Sequence, residues 1–91
     1  MRVVVAYDIS CDKRRQKVAN LLAMVLTRVQ LSVFEGDLPS EVLRKCVQRV
    51  LRHIDSETDS VRVYQLCASC VPRTDVYGRA FLLNDNPVRI L

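Results

Sequence analysis

Apolar residues fall in short runs separated by charged turns, and their spacing changes from run to run. Val3-Val4-Val5-Ala6-Tyr7 is apolar at successive positions. A strand over Arg2 to Ile9 therefore has two apolar faces, as a central strand does. Val18, Leu21, Leu22 and Val25 follow the i, i+3, i+4, i+7 spacing of an amphipathic helix over Asp12 to Leu26, with Lys13, Lys17 and Asn20 on its wet face. Ser10 or Asp12 suits its N-cap. From Arg28 to Phe34 the period drops to two. Val29, Leu31 and Val33 alternate with Arg28, Gln30 and Ser32, and Glu35-Gly36-Asp37 ends this second strand. Pro39 suits the entry to a second helix, with Ser40 as a competing cap. Leu43, Cys46, Val47, Val50, Leu51 and Ile54 give that helix a long apolar stripe. After the polar turn Asp55 to Ser60, Val61 to Cys67 is a third strand and Thr74 to Tyr77 a fourth. Asn84-Asp85-Asn86-Pro87 is a turn signal before a short last strand, Val88 to Leu91.

The order is strand, helix, strand, strand or turn, helix, strand, which predicts an α+β, ferredoxin-like βαββαβ sandwich with an extra short C-terminal strand. Residues 1–91 form one domain on this reading, and 84–91 supply the added strand. Two helices cover one face of such a sheet. Val3, Val5 and Tyr7 lie on one face of the first strand, and Val4, Ala6 and Asp8 on the other. Both sets are partly apolar, so the face without helices also needs a cover. The economical cover is a second copy of the chain, packed sheet to sheet by two-fold symmetry.

Composition narrows the function. The chain has 91 residues, 49% of them hydrophobic, and no apolar run approaches the length of a membrane span. A cytoplasmic protein with four free thiols is expected. Two glycines cannot write a Gly-rich nucleotide loop. The net charge is +4, and a pair of chains carries twice that, +8, which suits a polyanionic partner.

Asp8 is the leading candidate for chemistry, because it follows an apolar strand and precedes a helix. Near a two-fold axis, one carboxylate would come from each subunit. Their repulsion is relieved by a shared proton or by a divalent cation between them. Magnesium accepts two carboxylates and keeps waters, one of which can be activated against a phosphodiester. The competing reading is a turn or capping aspartate. Lys13, Arg14, Arg15 and Lys17 open the first helix, where cations oppose the helix dipole unless an anion is present. That placement leaves two readings open, phosphate-backbone binding and a solvated helix face. Arg44, Lys45, Arg49 and Arg52 on the second helix suit solvent or a protein partner. Alternation sends Arg28, Ser32 and Phe34 to the Asp8 face. There Arg28 would neutralise Asp8 or clamp a phosphate, and Phe34 would pack in the interface or stack on a base. Cys67-Ala68-Ser69-Cys70 is a single C-x-x-C. It lacks a second ligand pair for zinc and sits late in the chain, before Pro72, so it reads as structural or incidental.

Val4-Ala6-Tyr7-Asp8-Ile9, then Asp12-Lys13-Arg14-Arg15, then Arg28 through Leu38 with Gln30-Leu31-Ser32-Val33-Phe34 at its centre, resemble the Cas2 family of small CRISPR-associated proteins. Asp59 to Tyr64 and Val88 to Leu91 extend the resemblance over essentially the whole chain. It implies a ferredoxin-like homodimer that acts in spacer acquisition beside the Cas1 integrase, with RNA or DNA as a further partner. It also implies a metal-dependent endonuclease, using magnesium or manganese, that cleaves single-stranded RNA and in some members double-stranded DNA. The family's metal-binding aspartate matches Asp8, and its site residues match Tyr7, Arg15, Arg28, Ser32 and Phe34. Its C-terminal strand pairs with the partner's sheet, which 84–91 would do here. Leu31 stands where many members have Tyr, Lys17 where some have Arg, and Cys11 where a small polar residue is common. Two functions are expected: a nuclease centred on Asp8, or a non-catalytic dimeric adaptor that bridges the integrase and holds duplex DNA.

Overall fold

The fold is that of a computed structural model, which describes residues 1–78 and the strand 89–90. Its main sheet has four antiparallel strands: β1 (Arg2–Asp8), β2 (Thr27–Gln30), β3 (Val33–Asp37) and β4 (Ser60–Leu66), in the order β2-β3-β1-β4. Helices α1 (Asp12–Ala23) and α2 (Ser40–Leu51) pack on one face. Element order and strand order together make the expected ferredoxin-like sandwich. Among the described residues, no helix is long and apolar enough to cross a membrane.

The core lies between helices and sheet. Val3, Val5 and Tyr7 of β1 meet Val18, Ala19 and Leu22 of α1, Leu43, Cys46 and Val50 of α2, and Phe34 of β3. Full burial of each large member contributes roughly 1.5–3 kcal/mol. β1 alternates as expected, with Val4, Ala6 and Asp8 turned to the other face.

Four local expectations are corrected. The strand expected over Arg28 to Phe34 is two strands, β2 and β3, joined by a turn at Leu31-Ser32. Glu35-Gly36-Asp37 does not break it but extends β3 along β1, with Asp37 paired to Arg2. Gly36 belongs there because an added Cβ would lie 2.9 Å from Leu26 Cδ2, which fills that space. α1 ends at Ala23 rather than Leu26. The amides of Met24 and Val25 bond three residues back, tightening the last turn so that Leu26 rolls into the core. Neither Ser10 nor Asp12 caps α1; Cys11 is its N-cap residue.

After β4 comes a 3-10 turn, Val71–Arg73. The expected fourth strand is only β5 (Asp75–Val76), which pairs in parallel with β6 (Arg89–Ile90) outside the main sheet. The turn Asn84 to Pro87 and the rest of 84–91 lie outside the described residues.

Candidate active site

Two turns at one end of the sheet build the site. The first links β1 to α1. Ile9 is buried beneath it, and Arg15 reaches back from α1 to hold it. Arg15 Nη1 donates to the carbonyls of Ile9 (3.1 Å) and Ser10 (3.3 Å), and Nη2 donates to the Asp12 carboxylate. The second is the Leu31-Ser32 turn. Arg28 donates to the Leu31 carbonyl from both Nε (3.0 Å) and Nη2 (2.7 Å). The Tyr7 hydroxyl donates to the same oxygen at 3.3 Å and accepts from Arg28 Nη2 at 3.5 Å. The Tyr7 amide donates to the Ser32 carbonyl at 3.1 Å, fastening the turn to β1.

Between the turns opens a cleft of about 430 Å³, lined by Tyr7, Asp8, Ile9, Arg15, Arg28, Leu31 and Ser32. Five of the six expected catalytic residues therefore meet in one place. Asp8 stands apart from its neighbours electrostatically. It is exposed, and among the described residues its carboxylate has no hydrogen-bond or ion-pair partner. Arg28, Tyr7 and Arg15 instead bind backbone carbonyls or Asp12, and so shape the cleft.

Phe34 is the exception. Its register partners are Val5 on β1 and Arg28 on β2, which puts all three on the helix-facing side of the sheet. It is 1% exposed, its ring lies 6.3 Å from that of Tyr7, and the Arg28 guanidinium sits 5.5 Å above it. The expectation that Phe34 faces Asp8 and meets a base or the partner is therefore wrong. The turn at Leu31-Ser32 folds the segment back, so its alternation carries over to the opposite face. Arg28 shares that face and does not neutralise Asp8.

The basic run on α1 also divides. Arg14 donates from Nε to Asp59 Oδ2 at 2.8 Å and from Nη2 to Oδ1 at 3.2 Å. Asp59 is buried, and also accepts from the Asp55 amide (2.8 Å) and the Thr58 hydroxyl (3.3 Å). The Arg14 bond, then the Asp55 amide, hold the Asp59 carboxyl below the ordinary carboxylate range, and the same bond raises Arg14. Arg14 is thus a structural tie, not a phosphate ligand. The cations that oppose the dipole find their anions inside the chain, Asp59 for Arg14 and Asp12 for Arg15. Lys13 and Lys17 remain exposed.

Alternation puts Leu31 on the apolar face with Val29 and Val33, but it is 86% exposed at the cleft mouth, because a side chain on the turn has no core to enter.

The donor set suits a hard cation in part. Asp8 offers free oxygen ligands, and magnesium or manganese bind such oxygens while keeping waters. Among the described residues, no three His, Cys, Asp or Glu side chains gather around it, and Asp8 is the one carboxylate that lines the cleft.

Comparison with known proteins identifies the family. The profile of the family described as CRISPR associated protein Cas2 matches residues 1–74. A CRISPR-associated endoribonuclease Cas2 of Chloroflexus aurantiacus is 44% identical over 79 residues, which cover 86% of this chain and 85% of that protein. The crystal structure of Streptococcus pyogenes Cas2 superposes with a TM-score of 0.76 at 34% identity, covering 86% of this chain and all of that one. A chain in a partial Cas6-RT-Cas1–Cas2 complex matches 94% of this chain, and 93% of its own length, at a TM-score of 0.60 and 25% identity. With the profile spanning both turns of the cleft and the relatives sharing the fold that brings them together, the chain belongs to the Cas2 family of CRISPR-associated proteins.

Proposed function

We propose that this chain works in the cytoplasm as a CRISPR adaptation protein: a homodimeric, metal-dependent endonuclease that cleaves single-stranded RNA and also double-stranded DNA. The observation that carries this reading is the carboxylate of Asp8, without a partner among the described residues, in a cleft where Tyr7, Arg15 and Arg28 are already bonded. The name of the Chloroflexus relative supports ribonuclease activity. In the dimer, the open faces of two sheets would meet, and Asp8 of each subunit would be the residue to hold magnesium or manganese, which would supply polarisation of a phosphate oxygen and an activated water. The protein's own part is positional. Arg15 fixes the turn after Asp8, and Arg28 with Tyr7 fixes the opposite wall, so that a backbone phosphate has one place to sit. Ser32 lines that wall, within reach of a bound strand. Lys13 and Lys17 draw the polyanion to the surface.

A metal titration of cleavage tests this, on labelled single-stranded RNA and duplex DNA. Wild type should require the ion. Asp8→Asn should lose activity by about 100-fold or more while remaining dimeric. An Asp8→Asn protein that cuts as fast as wild type would refute the site.

The likeness to a chain in a Cas1–Cas2 complex favours a second reading: a non-catalytic adaptor that bridges copies of the Cas1 integrase and holds duplex DNA. Under it, spacer integration survives Asp8→Asn and fails after Lys13→Glu with Lys17→Glu.

A further inference from the structure

The C-x-x-C pair has a geometry that its sequence position did not suggest. β4 ends at Leu66, and the Cys67 carbonyl then accepts the amides of Cys70 (2.9 Å) and Val71 (3.3 Å). This tight turn brings both thiols to one side. Their sulfurs lie 3.1 Å apart, both residues are exposed, and the Ser69 hydroxyl is 3.1 Å from Cys67 Sγ. A disulfide needs a separation of about 2.05 Å, so closure asks for a shift of roughly 1 Å. The other two cysteines differ: Cys46 is buried in the core and Cys11 is half-buried at the start of α1. A metal site does not account for the pair, since among the described residues no further His, Cys, Asp or Glu joins it.

We propose that Cys67 and Cys70 form a reversible dithiol–disulfide site, with Cys67 the attacking sulfur and a small-molecule disulfide such as oxidised glutathione as the oxidant. The Cys67 thiolate attacks one sulfur of the small disulfide. A mixed disulfide forms, and the first small thiolate leaves. Cys70, losing its proton, then attacks Cys67 Sγ and expels the second small thiolate. The two protons lost by the protein are taken up by the two leaving thiolates. The protein pair is oxidised by two electrons, and the small disulfide is reduced to two thiols. The roles follow from the environment. The Ser69 hydroxyl, and then Cys70, lower Cys67 to about 7, whereas its bond to Cys67 raises Cys70. An attacking thiol is most effective near the ambient pH.

The site is separate from the cleft. β4 pairs Ser60 with Asp8 and Leu66 with Arg2, so Cys67 lies at the far end of the strand, roughly 20 Å away. The proposal does not depend on the nuclease reading.

Full-length protein equilibrated in stepped ratios of reduced to oxidised glutathione, then alkylated and mapped by mass spectrometry, tests it. Cys67 and Cys70 should lose reactivity together within one chain and regain it with dithiothreitol. Cys70→Ser should accumulate glutathione on Cys67, and Cys67→Ser should slow oxidation of Cys70 by about 10-fold. The proposal is overturned if both wild-type thiols stay alkylatable at the most oxidising ratio, if Cys11 is trapped first, or if the bond joins two copies.

Discussion

The Leu31 carbonyl receives two bonds from Arg28 and one from Tyr7, so a single backbone oxygen fixes the wall of the cleft that faces Asp8. A lysine cannot copy a guanidinium that donates from two nitrogens while lying over the Phe34 ring. Arg28→Lys should therefore lower cleavage by about 10-fold with little change in fold, measured as turnover at saturating metal beside a circular dichroism spectrum. Unchanged turnover would mean that the wall needs no such anchor. Phe34 separates stability from activity. It is buried beneath the site, so Phe34→Ala should cost about 3–5 kcal/mol in urea unfolding. Phe34→Leu, which keeps most of the volume, should retain cleavage because no base stacks there. Asp8 was legible in the sequence because the end of an apolar strand is a simple pattern. The partner of Arg28 was not, because a backbone carbonyl has no residue type to announce it and the turn that presents it had been read as strand.

Elements are tied together by charges as well as by the core. Arg14 of α1 grips Asp59 in the loop between α2 and β4, so one buried carboxylate fixes a helix to the start of a strand. Breaking such a pair leaves a buried charge unmatched. Because the folded protein holds the Asp59 carboxyl below its ordinary value, the group binds its proton less readily folded than unfolded. Its stabilising effect is therefore fully present above the ordinary carboxylate value and is lost as pH falls through the lowered one. Asp59→Asn should lower the melting temperature clearly at pH 7, and the gap from wild type should narrow as pH falls below about 4. A constant gap across that range would deny Asp59 this role. The helices, β1 and β4 were legible because their periods are long and unbroken. The β2–β3 hairpin was not. Val29, Leu31 and Val33 keep a period of two straight through the turn, so the pattern looks the same whether the chain continues or doubles back. Arg14 was misread for a related reason: its anion lies 45 residues away, beyond any local pattern.

Among the described residues, one face of the main sheet carries no helix. On it lie Val4 and Ala6 of β1, with Val33 and Glu35 of β3 on one side and Arg62 and Tyr64 of β4 on the other. Tyr64 is 48% exposed, and Asp8 stands at the end of the same row. A two-fold axis through this face would bury the apolar middle and set Glu35 and Arg62, of opposite sign, on its flanks. The same axis would bring the two Asp8 carboxylates toward each other. Ala6→Glu puts a charge at the centre of that surface while sparing the helix-facing core. It should convert the dimer to a folded monomer in analytical ultracentrifugation. Cleavage should disappear with the dimer, because each monomer keeps Asp8 but loses its twin. Asp8→Asn should give the opposite pairing, an intact dimer without activity. If Ala6→Glu remains a tight dimer, the chains meet through another surface. If it becomes an active monomer, one carboxylate suffices and the shared metal site is wrong.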